Sequence, residues 1–356
     1  LTLCAADRQV RTACFDQINM QRIKHSQETG HVTADAITDL GSSTGRSLSD
    51  GKGGNGDIIF RGALTAAAFV VLLLIAAIMV LLFYGGLPAL LKFGPYFFVN
   101  TDWDPQNDIY SAGVMLYGTI VTAFIAIVVS IPASLGISFF LTEVAPNIIR
   151  RPVGIAIQLL AAVPSIIFGM WGFYVIAPIM RDYVQPVLIE GLHWIPVIGY
   201  LFTGPARGTG ILTTGLILAL MILPFMTAMF VEVLESVPGV IKEASYGIGS
   251  TTYEVFTTVS VPYGRTAIIG ASMLGLGRAL GETMAVTFVI GNANRISASL
   301  NASGASISSV IANQFNESSP GSLLQSSLLL LGFTLFVISF IVLALARYLV
   351  RSKLKG

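Results

Sequence analysis

Charge is scarce in this chain of 356 residues: Asp, Glu, Lys and Arg together supply 11% of it, against 54% hydrophobic residues. With a mean hydropathy of +0.78, that balance lies outside the range of soluble domains. Cysteine is nearly missing. The two present, Cys4 and Cys14, both fall near the start, and no Cys or His stands at ligand spacing. A disulfide framework and a metal site are thereby excluded. No Ser/His/Asp set or paired-carboxylate arrangement stands out, so no catalytic residue is assigned. A phosphate loop is absent too: the nearest approach, Gly51-Lys52, is followed by Gly53 where Ser or Thr is required. The chain reads as something other than an enzyme. Its net charge of +1 argues neither for nor against nucleic acid.

What the chain has instead is long uncharged runs. Ile109 to Thr142, Pro152 to Met180, Gly208 to Val231 and Ser318 to Ala346 are each free of charge, and between Gly62 and Asp102 only Lys92 is charged. Each has room for the ~20 apolar residues of a bilayer span. A sixth apolar stretch, Thr266 to Asn292, is interrupted by Arg278 and Glu282. An all-α membrane protein is expected, with spans near 62–84, 112–141, 153–178, 209–231, 266–291 and 323–346. His25, His31 and His193 lie outside all of them. The first span is too long for a cleaved signal and lacks a small-residue cleavage site. Residues 58–350 are expected to form one six-span membrane domain, residues 1–57 a polar tail expected to be disordered, and residues 351–356 a basic C-terminal tail. Met20 opens a plausible start, which would make residues 1–19 an upstream extension.

Lys and Arg are distributed unevenly. Fifteen fall in the N-terminal tail, the 142–152 loop, the 232–265 loop and the C-terminal tail, while the alternate loops hold only Lys92, Arg181, Arg207 and Arg295. This bias places both termini and the loop between spans four and five in the cytoplasm. Pro132, Pro164 and Pro224 lie within spans two, three and four. Each frees backbone groups that neighbouring helices must satisfy, so these spans are expected inside a bundle. Gly277 and Gly281 form a GxxxG spacing that permits close helix approach.

The inside-facing loop of residues 232–264 is long for a compact membrane protein and therefore expected to be functional. Val240 to Tyr246 can form a short helix, with Pro238-Gly239 before it and Gly247 and Gly249 ending it. The residues Glu243-Ala244-Ser245, Gly249, Val259, Val261 and Pro262 are similar to the EAA loop of ABC-importer permeases. Ser245 stands where that pattern has a second Ala. The resemblance implies that this loop docks a coupling helix into a cleft of a partner ATPase, with Glu243, Ala244, Gly249 and Pro262 as the coupling residues.

Arg278 and Glu282 are four apart and expected on one face of a helix. Either alone costs ~2.5–3.5 kcal/mol at mid-span, so both should face the bundle interior. They could form an internal ion pair that fixes packing, or line a substrate pathway. On the second reading Arg278 implies an anion, because guanidinium presents a planar fork of donors. Glu282 can accept a hydrogen bond from a P–OH group, which phosphate carries at neutral pH and sulfate does not. That favours phosphate, unless Glu282 simply pairs with Arg278.

The run from Leu274 to Val286 with Ile290-Gly291-Asn292, together with Ala162 to Gly169, Leu141 to Pro146 and Trp103-Asp104-Pro105, resembles the PstC permease family of the phosphate-specific ABC importers. The likeness runs from about residue 60 to residue 350. It implies a type I ABC-importer bundle in the bacterial inner membrane, working by alternating access. The partners implied are a sister permease resembling PstA, an ATPase dimer that binds ATP and Mg, an extracytoplasmic phosphate-binding protein, and membrane lipid. The other readings are a permease for sulfate, molybdate or another oxyanion, a secondary transporter with Glu282 as proton carrier, and a phosphate-sensing membrane subunit.

Overall fold

A computed structural model describes residues 55–353 apart from His193 and Ile195. The N-terminal tail with Met20, Cys4 and Cys14 therefore lies outside the described residues, except from residue 55 on, and so do the last three residues of the C-terminal tail. The chain divides into two units, Leu1–Leu72 and Leu73–Gly356. Helix α1 (Asn55–Phe93) is apolar over nearly its whole length. Leu64, Phe69, Leu72 and Leu81 are all more than half exposed. A helix that is hydrophobic all round has no stable place in water, so α1 is a lipid-facing segment.

The elements that follow are α2 (Gly113–Phe139), α3 (Asn147–Ala161), α4 (Ser165–Gly191), α5 (Pro196–Leu201) and α6 (Ile211–Glu235). After these come α7 (Gly239–Gly247), α8 (Thr252–Val255), α9 (Val261–Leu280), α10 (Met284–Val289), α11 (Ile307–Gln314) and α12 (Leu323–Lys353). Among the described residues, four helices are long and apolar enough to cross a membrane: Ile59–Phe98, Gly113–Val144, Ile211–Glu235 and Leu323–Tyr348. They correspond to the expected spans one, two, four and six.

The other two expected spans are interrupted. The third is a pair of helices, Ile148–Ala161 and Ser165–Gly191, that meet at 91°. Pro164 stands at the corner in extended conformation (ψ 135°). It has no N–H to continue α3 and disfavours helical geometry at Val163. Pro164 is thus the corner of a bend rather than a proline packed within a straight span. The fifth is α9 followed by the six-residue α10, parted at Gly281–Thr283.

The core lies where α2, α6 and α9 meet, around Ala126, Ile222, Met226, Phe230, Ala271 and Leu280. The Ser134 hydroxyl donates to the Leu223 carbonyl at 3.2 Å, tying α2 to α6 beside Pro224. The close approach of α9 to α6 is made at Gly275, where an added Cβ would stand 2.9 Å from Met226 Sδ and 3.3 Å from Ile222 Cγ2. Gly277 and Gly281, expected from their spacing to make such a contact, meet nothing tighter than 3.6 Å. A Gly275→Val variant should lose roughly 1–3 kcal/mol of stability by overpacking. Thermal unfolding of the purified protein reads it, and an unchanged melting temperature would contradict the packing described.

A second cluster joins the end of α1, the loop before α2, α11 and the start of α12, around Phe97, Trp103, Tyr110, Ile307 and Leu331. Here Trp103 stacks edge-on against Tyr110 at 5.0 Å and donates from Nε1 to Gln314 Oε1 at 3.1 Å. Asp104 accepts from the Asn107 side chain and the Gln106 N–H. Those donors hold its carboxyl below the usual carboxylate range.

Candidate functional site

Two places carry the residues singled out by the sequence. The first is the interruption between α9 and α10. Gly281 ends α9, and Glu282 and Thr283 follow before α10 begins. Arg278 and Glu282 therefore do not share one helical face, as their spacing suggested. Arg278 belongs to the last turn of α9, where a cation complements the carbonyl end of the helix. Glu282 lies beyond that end, and its Oε1 accepts the Ala285 N–H at 3.3 Å. The low helix propensity of Gly277 and Gly281 weakens this turn. Ser308 of α11 holds the break from the other side, its hydroxyl donating to the Glu282 carbonyl at 2.7 Å.

The two side chains do not pair with each other. Among the described residues the ion pairs are Arg150–Glu235, Arg181–Asp182 and Lys242–Glu143. Arg278 is exposed on the isolated chain, and its guanidinium lies 5.8 Å from the centre of the Phe225 ring. A cation over an aromatic face is held by the ring quadrupole, which leaves the N–H fork free for other acceptors. The arrangement is an exposed cation four residues before a half-buried carboxylate, on either side of a point where the backbone is not helical. In a membrane, irregular backbone is tolerated where it is buried in protein or lines a water-filled cavity.

The second place is α7 and its flanks. No residue of α7 is buried. Val240 is 76% and Ile248 85% exposed, and Glu243 and Ala244 are exposed as well. Pro238 stands before the helix. Gly249, at φ +93°, closes it in a conformation that an L side chain rarely adopts. A capping box at Thr251 and Glu254 restarts the chain as α8. Val259 lies in the π turn Phe256–Ser260, and Pro262 follows at once in the first turn of α9.

Sequence reasoning missed what holds α7 in place. Lys242 Nζ donates to Glu143 Oε1 at 2.6 Å and to the Leu234 carbonyl at 3.4 Å. The two charged side chains are only 17% and 8% exposed. Glu143 belongs to the π turn that ends α2. Phe139, just before it, packs on Phe256 with ring centres 4.5 Å apart. The exposed helix is thus fastened to the end of a spanning helix by one largely shielded ion pair. Ninety-nine residues separate its members, so no local pattern announces it.

A family model for the binding-protein-dependent transport system inner membrane component matches residues 134–355. The phosphate transport system permease protein PstC of Mesorhizobium japonicum is 50% identical over 293 residues, covering 82% of this chain and 89% of that protein. The PstC protein of Xylella fastidiosa strain Temecula1 is 50% identical over 303 residues, 85% of this chain and 92% of that one. The PstC protein of Pasteurella multocida is 47% identical over 294 residues, 83% and 91%. Among solved structures, a bacterial alginate ABC transporter, in complex with an alginate pentasaccharide-bound periplasmic protein, matches with a TM-score of 0.54. It is 14% identical and covers 83% of this chain and 96% of that chain, a likeness of fold.

Proposed function

Because this chain belongs to the binding-protein-dependent transport system inner membrane component family, we propose that it is the permease through which an ATP-driven importer passes inorganic phosphate. The substrate follows from relatives at about half identity named as phosphate transport system permeases. The observation in the fold that supports it best is Arg278. It is a guanidinium without a carboxylate partner among the described residues, placed where the fifth span is broken. Such a group matches an oxyanion. Glu282 supplies an acceptor for a P–OH proton beside it, which sulfate would leave unused.

On this reading an extracytoplasmic binding protein delivers phosphate to the outer mouth. A sister permease resembling PstA completes the pathway, and both termini of this chain face the cytoplasm. The α7 helix docks into an ATPase dimer that carries ATP and Mg. Closure of the dimer moves α7, and the bundle rocks between inward- and outward-facing states.

The exposed face of α7 is testable on its own. Glu243→Lys should leave ATP hydrolysis by the purified complex within about threefold of wild type, since the hydrolytic residues sit in another subunit. Uptake per ATP should fall at least about tenfold, the effect of ~1.4 kcal/mol lost at the docking contact. Uptake and hydrolysis measured together in reconstituted vesicles decide it. An unchanged ratio would remove α7 from the coupling path.

A further inference from the structure

A cavity of about 170 Å³ lies between the loop after α5 and the loop after α10, with Arg207 and Arg295 in its wall. At ~30 Å³ per water it has room for about five waters, enough for one tetrahedral oxyanion with part of its shell. Thr203 and Ser297 add hydroxyls, and no Asp or Glu lines it. Neither arginine has an ion-pair partner among the described residues. Asn301, also in the wall, is 1% exposed. Its amide nitrogen donates to the Phe202 carbonyl at 3.0 Å, while its Oδ1 is buried with no hydrogen-bond partner. That oxygen is out of reach of solvent, so Asn301 braces the loop while the arginines and hydroxyls face the cavity.

The two loops are fastened to each other. Leu300 N–H donates to the Leu201 carbonyl at 2.7 Å, and the Ser299 hydroxyl donates to the Thr203 carbonyl. The cavity is also fixed relative to the break that holds Arg278. The Gly210 N–H donates to the Val289 carbonyl, and the Ile211 N–H to the Ala302 carbonyl. The loops are thereby pinned to the first residues of α6 and to the far end of α10. The six residues of α10 span ~9 Å at 1.5 Å each. The other end of α6 leads to α7, so the cavity is on the face opposite the coupling helix.

We propose that Arg207 and Arg295 form an outer capture site for inorganic phosphate, one α10 length before Arg278 on the same path. The inference rests on the phosphate-import reading and adds a second station to it. Two unpaired guanidiniums attract and hold the anion. The Thr203 and Ser297 hydroxyls, which both donate and accept, complete the hydrogen bonds of the bound anion. Exchange between two stations lets an ion enter readily and still leave, as in other ion pathways.

The test places a single thiol in the cavity. Ser297→Cys is made in the assembled complex with Cys4 and Cys14 changed to Ser, and Thr203→Cys serves as a second reporter if the first fails to assemble. An anionic thiosulfonate reagent should label it at least about tenfold faster than its cationic counterpart, the gain a cleft of one charge sign gives an oppositely charged ligand. Inorganic phosphate should protect the thiol. Arg207→Gln with Arg295→Gln should abolish both the preference and the protection. Protection by the unloaded binding protein but not by phosphate would assign the arginines to protein docking and overturn the site. Equal labelling rates with no protection would overturn it as well. Phosphate uptake by the wild-type complex separates the two levels: normal uptake without protection removes only this site, whereas no uptake removes the import reading beneath it.

Discussion

Arg278→Gln is expected to cut phosphate uptake at least about thirtyfold, while the complex keeps its subunits and its melting temperature. The size follows from what the guanidinium can do. Losing a desolvated, hydrogen-bonded charge partner costs ~2–5 kcal/mol, and ~2 kcal/mol is already a factor of about thirty. If Arg278 served packing alone, its recorded contact would be the Phe225 ring at 5.8 Å. A cation–π contact at an exposed site contributes ~0.5–1 kcal/mol, which changes a rate at most about fivefold. The two accounts therefore differ by magnitude and by readout. A pathway residue loses uptake with the fold intact, and a packing residue loses melting temperature. Arg278→Lys should fall between, because an ammonium keeps the charge but not the planar fork.

The second large effect concerns the fastening of α7. Lys242→Ala should lower uptake at least tenfold, and exchange of the two charges (Lys242→Glu with Glu143→Lys) should recover part of it. An exposed ion pair is worth ~1 kcal/mol or less. This one is nearly out of water at 17% and 8% exposure, and breaking a buried pair leaves an uncompensated charge worth ~3–5 kcal/mol. Its position at the membrane edge favours the lower end of that range. The complex carrying the variant should still hydrolyse ATP, since Lys242 only holds α7 to the end of α2. Single variants with normal uptake, or an exchange no better than either single change, would contradict the role.

Much of the fold was legible where a physical signal is local. Spans near 112–141, 209–231 and 323–346 appear as Gly113–Val144, Ile211–Glu235 and Leu323–Tyr348, because length and apolarity alone decide them. The short helix expected at Val240 to Tyr246 appears as Gly239–Gly247, bracketed by the proline and glycines that mark its ends. The break at Gly281–Thr283 was not read, because an apolar window averages over the turn. Its signal is the low helix propensity of Gly277 and Gly281, whose spacing equally suits a packing motif. The same averaging hid the 91° corner at Pro164, although a Val-Pro step disfavours helix on its own. What no local pattern carries is proximity between distant loops. Lys242 meets Glu143, and Arg207 shares a cavity with Arg295, only because the helices between them fold back.

The most direct test of the whole account is ATP-dependent uptake of labelled phosphate into vesicles that contain this chain and its co-purifying subunits, with and without excess sulfate. The account predicts uptake that requires ATP and is unaffected by sulfate. Uptake blocked by sulfate would contradict the phosphate assignment, and uptake indifferent to ATP would contradict the importer itself.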